Sequence, residues 1–300
     1  MFFIISVIII IGDIMSSIKE KINKSLTFKY LKRLLNIINR AEMRILPGSI
    51  AFFLFMAIVP AILIIAIICT KFSFSVTDII IFFEDILPRS VEEVLLSITK
   101  SSIDGYSIGF LILSLLLASN GPHAIILASN TLYGIDNSNY LVRRIKSFVL
   151  TIILMSLFLF ILIVIAFGNV ILKFILELSI FEGIASNIYN LFIILKWPFA
   201  IIIIALFIKV LYTIAPDKKI KSKYVNKGVI FTTIGWVIST AIYSYYANNM
   251  AKYDIIYGSL SNIIILIIWV YVISYILVIG IAINTNYYNY NLENKKIETE

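Results

Sequence analysis

The sequence predicts an all-α polytopic membrane protein with six transmembrane helices, and three observations predict it. Hydrophobic residues make up 61% of the 300 residues and charged ones only 14%, with a mean hydropathy of +1.01; a soluble domain is about half apolar and a quarter charged. Six stretches are nearly free of Asp, Glu, Lys and Arg and reach the roughly 20 residues that a hydrocarbon core demands. If those stretches alternate across a bilayer, nineteen of the 25 basic residues fall on one side. The composition excludes an ordinary soluble enzyme, a disordered chain and a collagen-like fibre. No period-2 alternation is present, so a membrane β-barrel is excluded as well.

The elements follow in order. Phe2 to Ile11 is apolar but too short to span, and no basic residue precedes it. Residues 1–15 read as an apolar extension of the chain, with Met15 as a candidate start and a half-inserted helix as the alternative. In residues 16–46, Ile18, Ile22, Leu26, Tyr30, Leu34, Ile38, Ala41 and Ile45 recur at helical steps, with lysines between them. This predicts an amphipathic helix lying on the membrane surface and leading into the first span. The six spans are expected near 47–69, 107–131, 147–170, 188–211, 228–248 and 260–283. They form one membrane domain over 47–286, followed by a polar tail over 287–300. The loop over 70–106 is long and acidic, is split by Pro88, and carries a capping-box pattern at Ser90 and Glu93.

Charge sets the expected orientation. The segment before the first span, the loop over 143–146, the loop with Lys218, Lys219, Lys221, Lys223 and Lys227, and the tail carry the basic excess. Such loops stay cytoplasmic, so both termini are expected inside. The net charge of +8 then reads as a topological anchor suited to anionic headgroups. Nucleic-acid binding would need a basic surface with interleaved stacking aromatics. Here Tyr243, Tyr245, Tyr246, Tyr253 and Tyr257, and again Tyr287, Tyr288 and Tyr290, gather at span boundaries as an interfacial belt would.

The candidate chemistry is sparse. One cysteine, Cys69, rules out an intrachain disulfide and a cysteine-built zinc site. One histidine, His123, rules out a histidine cluster. It follows Gly121-Pro122 inside the second expected span, where a broken helix could line a cavity. A packing kink with a satisfied histidine is the favoured reading. Lys196, beside Trp197 and Pro198 near the end of the fourth span, reads as a snorkelling lysine rather than a cavity lysine. The pairs Glu84-Asp85 and Glu92-Glu93 read as a solvated face. No hydrolase, phosphate-loop or EF-hand signature is present, so neither a cofactor nor a metal is expected. Intramembrane carboxylates, which ion-driven pumps use, are missing from the spans.

Several blocks together resemble the YihY/BrkB family of bacterial inner-membrane proteins. They are Pro47-Gly48-Ser49-Ile50-Ala51 running to Pro60, Ala118 to Ile135 with Asn130-Thr131-Leu132-Tyr133-Gly134, and Leu211 to Pro216 followed by a basic loop and Gly228. The most specific is Tyr257-Gly258-Ser259-Leu260, then Trp269-Val270-Tyr271, Gly280 and Asn284. The resemblance covers roughly residues 34–286 and also implies six spans. It departs at Phe52 and Ala57, where the family often has tyrosine and serine, and at Ala282, where it often has glutamate. The family once carried a ribonuclease label, now regarded as mistaken, and a virulence label. The resemblance implies a multi-pass protein of the bacterial inner membrane.

The expected function is non-enzymatic: transport or handling of an envelope lipid or other amphiphile, at a cavity near Pro60, Gly121, Pro122, His123 and Asn130. Membrane lipids are the expected partners, nucleic acid is not, and protein partners and self-association stay open. The alternatives are a membrane-bound hydrolase or nuclease, resting on His123 and the acidic loop, and an envelope scaffold.

Overall fold

A computed structural model of the chain describes residues 26–71, 105–136, 138–162, 185–250 and 260–297. The apolar extension, most of the acidic loop and Tyr257-Gly258 lie outside these residues. The described residues form eight α-helices: α1 Leu26–Ile38, α2 Glu42–Lys71, α3 Gly105–Ala118, α4 Asn120–Tyr133, α5 Tyr140–Leu162, α6 Ala185–Ile214, α7 Asn226–Met250 and α8 Leu260–Ile297. A 3-10 turn, Ser222–Tyr224, precedes α7.

Among the described residues, four stretches are long and apolar enough to cross a membrane: Ile112–Tyr133, Trp197–Ile214, Asn226–Tyr246 and Ile263–Leu292. Leu31–Ile38 and Glu42–Ile58 meet at 60° and supply a fifth if the bent pair is one span. That bend, at residues 39–41, falls inside the stretch expected to form one surface helix over 16–46. The inward face of α1 is carried by Ile37, which is buried, with Leu34 and Ile38 half-buried; Leu31 and Leu35 are exposed. The predicted stripe does not continue past the turn, since Ala41 and Ile45 are exposed. α1 rests against α8.

Helix ends depart from the hydropathy pattern. α5 begins at Tyr140, so Arg143, Arg144 and Lys146 lie in its opening turns rather than in a loop. α8 runs 38 residues to Ile297, well into the stretch expected to be a tail. Its polar extension is held by packing: Tyr288 meets the rings of Tyr133 and Tyr224 at 5.8 and 5.5 Å, and Tyr287 meets Tyr224 at 6.0 Å. Tyr287 and Tyr288 are half-buried and pack against the core at this end of the bundle.

The helices close a circuit: α4 packs on α5, α5 on α6, α6 on α7, α7 on α8, and α8 back on α4. α2 lies against α8, α3 and α4. The core sits toward one end of this circuit, the end that carries the lysine-rich loop between α6 and α7. Ile208, Leu211 and Tyr212 of α6 and Ala215 just beyond it meet Val229 of α7 and Leu277, Val278, Ile281 and Ala282 of α8 there. The tightest crossing is α7 on α8 at Gly228 and Gly280. A Cβ on Gly228 would collide with the Gly280 carbonyl oxygen, and one on Gly280 with the hydroxyls of Thr232 and Tyr212. Glycine is required at Gly228 by the approach of the α8 backbone, and at Gly280 by the two hydroxyls packed against it.

Candidate functional site

The junction of α3 and α4 carries the Gly-Pro pair. Ser119 keeps helical dihedrals (φ −70°, ψ −9°), so the interruption is mild. Pro122 falls in the first turn of α4, where a missing N–H costs least. Gly121 and Pro122 are buried, and the Cβ position of Gly121 stands 2.9 Å from Cδ2 of Leu54 in α2. The Leu116 carbonyl accepts from Ser119 Oγ at 2.7 Å and from Arg144 Nη2 at 2.9 Å. Arg144 Nη1 donates to Asn120 Oδ1 at 2.9 Å. A guanidinium from α5 therefore clamps the junction and occupies the polar groups that a broken helix would present. His123 is half-buried beside the Tyr140 ring, 6.0 Å between centroids.

The far end of α4 builds a second constellation. Gly134 takes the left-handed conformation (φ 64°, ψ 40°), and Ile135 N donates to the Asn130 carbonyl at 2.9 Å. This is a Schellman-type stop, which accounts for the glycine closing the Asn-Thr-Leu-Tyr-Gly block. It turns the chain so that Asn130 and Ser138 both face the loop after α6. Asn130 Nδ2 donates to Asp217 Oδ2 at 2.7 Å, and Asp217 N donates back to Asn130 Oδ1 at 2.8 Å. Ser138 donates to Oδ2 through its backbone N–H at 3.1 Å and its hydroxyl at 2.8 Å. Lys146 Nζ donates to Asp217 Oδ1 at 2.9 Å and to the Pro216 carbonyl at 2.6 Å. Arg143 donates to the Ser138 carbonyl.

One carboxylate thus ties α4, the α4–α5 loop, α5 and the α6–α7 loop. Its side chain is 5% exposed. Burial by itself would raise the Asp217 carboxyl, but the Lys146 ammonium and the donors from Ser138 and Asn130 outweigh it and hold it at about 2. The adjoining interior is also closed by hydrogen bonds. The Tyr212 hydroxyl donates to the Leu277 carbonyl at 2.8 Å and lies 2.6 Å from Thr232 Oγ1. Gly228 N donates to Asn284 Oδ1 at 2.7 Å, and Trp236 Nε1 donates to the Ile273 carbonyl at 3.0 Å. Over the outside of this end, Lys227 lies 4.2 Å from the Tyr287 ring centroid, Lys223 5.1 Å from that of Tyr224 and Lys218 5.9 Å from that of Tyr288.

The opposite end of the circuit is built differently. From Ile194 to Phe207 of α6, Ala200 is the only buried residue among the described ones, and from Ile234 to Tyr246 of α7 none is buried. Large apolar side chains face outward on both, among them Ile202, Ile238 and Ile242. On α8, Leu266 and Val270 are buried against Ala51 of α2.

The sequence-predicted residues distribute over these regions. Gly121, Pro122 and His123 come together at the junction. Asn130 lies seven residues beyond His123, about 10 Å along the helix, and belongs to the Asp217 knot with Pro216. Pro47 is buried in α2, and Pro198 is exposed within α6. Gly280 and Asn284 form the α7–α8 crossing. Trp269 packs its ring on Tyr243, 5.2 Å between centroids. Ala282, standing where the resemblance suggests glutamate, is 0% exposed in the apolar core. The side chains of Pro60 and Lys196, and Tyr257 and Gly258 entirely, lie outside the described set. Sequence reasoning passed over Asp217, Lys146, Ser138 and Arg144. One signal was available: Asp217 is the sole acidic residue between Glu182 and Asp254 and sits among five lysines. Among the described residues no group of three or more His, Cys, Asp or Glu is placed to hold a metal ion.

The sequence profile described as Virulence factor BrkB matches residues 35–300. The ribonuclease-like protein YfkH of Bacillus subtilis is 28% identical over 260 residues, covering 85% of this chain and 94% of that protein. A UPF0761 membrane protein of Vibrio cholerae is 34% identical over 110 residues, 36% of each chain. Another, from Alteromonas mediterranea, is 34% identical over 89 residues, 30% of each. No solved structure matches this chain.

Proposed function

Because the chain belongs to the BrkB family of bacterial multi-pass membrane proteins, we propose that it handles an envelope lipid or other amphiphile without catalysing a covalent reaction. The observation that carries this reading is the asymmetry of packing. One end of the circuit is sealed by the Asp217 knot and the Tyr212 bonds. At the other end α6 and α7 expose apolar faces with almost no buried residue. Acyl chains are the natural solvent for such faces, and a lipid can enter between thinly packed helices where a hydrophilic solute pays a desolvation cost. In this reading the sealed, lysine-rich end faces the cytoplasm, six spans cross the bilayer, and both termini lie inside.

Gentle extraction into nanodiscs followed by mass spectrometry of retained lipids tests the reading. A lipid class enriched reproducibly over the bulk membrane supports it. A lipid content indistinguishable from the bulk, or a stoichiometric protein partner in place of lipid, overturns it. Reporter fusions at each terminus test the orientation separately; a periplasmic signal from either would exclude it.

A further inference from the structure

The lysine-rich turn and the outward face of α7 form one continuous surface. Ile220, Tyr224 and Val225 are buried and pin the backbone of the turn, while Lys218, Lys219, Lys221, Lys223 and Lys227 are exposed. Asp217, the sole acidic residue of this stretch, is turned inward and held by Lys146. Among the described residues, no carboxylate pairs with Lys218, Lys219, Lys221 or Lys223. Lys223 lies over the Tyr224 ring and Lys227 over the Tyr287 ring, and those two rings pack 6.0 Å apart. Aromatic faces thus fix two ammonium groups that would otherwise sweep through solvent. Val225, between the turn and α7, keeps helical dihedrals (φ −96°, ψ −10°), so Lys223 stands about one turn before Lys227.

Lys227 also opens an apolar stripe. Phe231, Ile234, Ile238 and Ile242 follow it at helical steps of three or four residues, and all four are exposed. The opposite face of α7 is committed to protein: Gly228 meets Gly280, Thr232 meets Tyr212, and Trp236 bonds to the Ile273 carbonyl. From Phe231 to Ile242 the stripe runs about 16 Å, about half of the roughly 30 Å hydrocarbon core.

An apolar helix face in lipid selects nothing by itself, since any acyl chain covers it. A lysine cluster by itself reads only charge. Here the cluster caps the stripe at one end, so charge and chain are read together. We propose that this surface binds an anionic phospholipid of the cytoplasmic leaflet, with its phosphate at Lys223 and Lys227 and one acyl chain along Phe231, Ile234, Ile238 and Ile242. Lysines without a countercharge disfavour a zwitterionic headgroup, whose amine would be brought against like charges. The inference rests on the lipid-handling reading and its orientation, which it sharpens to a lipid class and a place.

Photolabelling of the unaltered protein in nanodiscs is the first test. Phosphatidylglycerol and phosphatidylcholine carrying the same diazirine on an acyl chain are compared at equal concentration, with the labelled residues mapped by mass spectrometry. Label on Phe231 to Ile242 is expected to be several-fold higher from phosphatidylglycerol, with no such preference at Ile202 and Leu206 of α6. Equal labelling of the α7 stripe by both probes overturns the proposal. So does full competition by water-soluble glycerol phosphate, which would assign the lysines to a free anion. The second test removes charge. Lys223→Gln with Lys227→Gln should abolish the preference, whereas Lys32→Gln with Arg40→Gln, which removes two exposed cations elsewhere, should keep it. Equal behaviour of the two double variants overturns the site. Should a variant fail to fold, the probe comparison on the unaltered chain still decides. The two readings fail separately: an enriched lipid that is not an anionic phospholipid overturns this site and leaves lipid handling standing.

Discussion

The two ends of the circuit share helices but not a way of being held together. At the lysine-rich end, α4 to α8 are joined by polar contacts between residues far apart in sequence, over a core of fully buried side chains. At the other end, α6 and α7 meet their surroundings through exposed isoleucines. The span Ile112–Tyr133 is 56% buried, while Trp197–Ile214 and Asn226–Tyr246 are each 22% buried. The difference teaches where rigidity resides. In lipid there is little hydrophobic drive to press apolar helices together, so close packing, small residues and hydrogen bonds must do it. This chain concentrates all three at one end.

Substitutions can break that contrast, and the largest effect is expected at Gly280. Gly280→Val places methyl groups where the hydroxyls of Thr232 and Tyr212 already stand. The crossing must open, costing about 3 kcal/mol or more. Yield of monodisperse protein on size exclusion should collapse; normal yield and Tm would show that the crossing is not a determinant. Next comes Asp217→Asn, which leaves Lys146 without its counterion. Breaking such a pair costs about 3 kcal/mol, read as a lowered Tm. Adding Lys146→Met should recover part of the loss, since the two act as one unit.

Acid offers a subtler probe of the same knot. The Asp217 carboxyl is held at about 2 against an ordinary value of 3.8. Its folded value is depressed, so its stabilising effect is complete above 3.8 and disappears as pH falls toward 2. The Tm gap between the wild type and Asp217→Asn should therefore be constant from pH 7 to about 5 and narrow below about 4. A gap that stays constant down to pH 2 would assign the loss to something other than the charge. The smallest effects are expected at the opposite end. Ile238→Ala and Ile242→Ala should move stability by about 0.5 kcal/mol or less, whereas Ile208→Ala in the sealed core should cost about 2–4 kcal/mol. Equal losses at both ends would erase the comparison.

The sequence made the cores of the helices legible because a run of Ile, Leu, Phe and Val is a direct record of burial in hydrocarbon. It also pointed to a helix break beside Gly121-Pro122, where α3 gives way to α4 at Ser119. It was silent where packing overrides local polarity. The stretch after Asn284 is rich in Asn and Tyr, yet α8 continues because Tyr287 and Tyr288 find ring partners and Asn291 Nδ2 returns to the Tyr287 carbonyl at 2.7 Å. Arg144 and Lys146 read as loop anchors, yet one clamps a helix junction and the other a carboxylate 71 residues away. Asp217 was passed over for the same reason: its partners Asn130 and Ser138 lie 87 and 79 residues distant, and single-chain periodicity carries no record of such meetings.

The length of α8 has a mechanical consequence. Thirty-eight residues make a rod about 57 Å long, longer than the roughly 40–45 Å of a bilayer with its headgroups. Its tightest contact, Gly280, falls 20 residues from one end and 17 from the other. A stiff rod gripped near its middle acts as a balanced lever. A sideways push on the half before Gly280, which rests on α2 through Leu266 and Val270, would swing the tyrosine-bearing half the opposite way by a similar distance, and the lysine loop seated on those tyrosines would be carried with it.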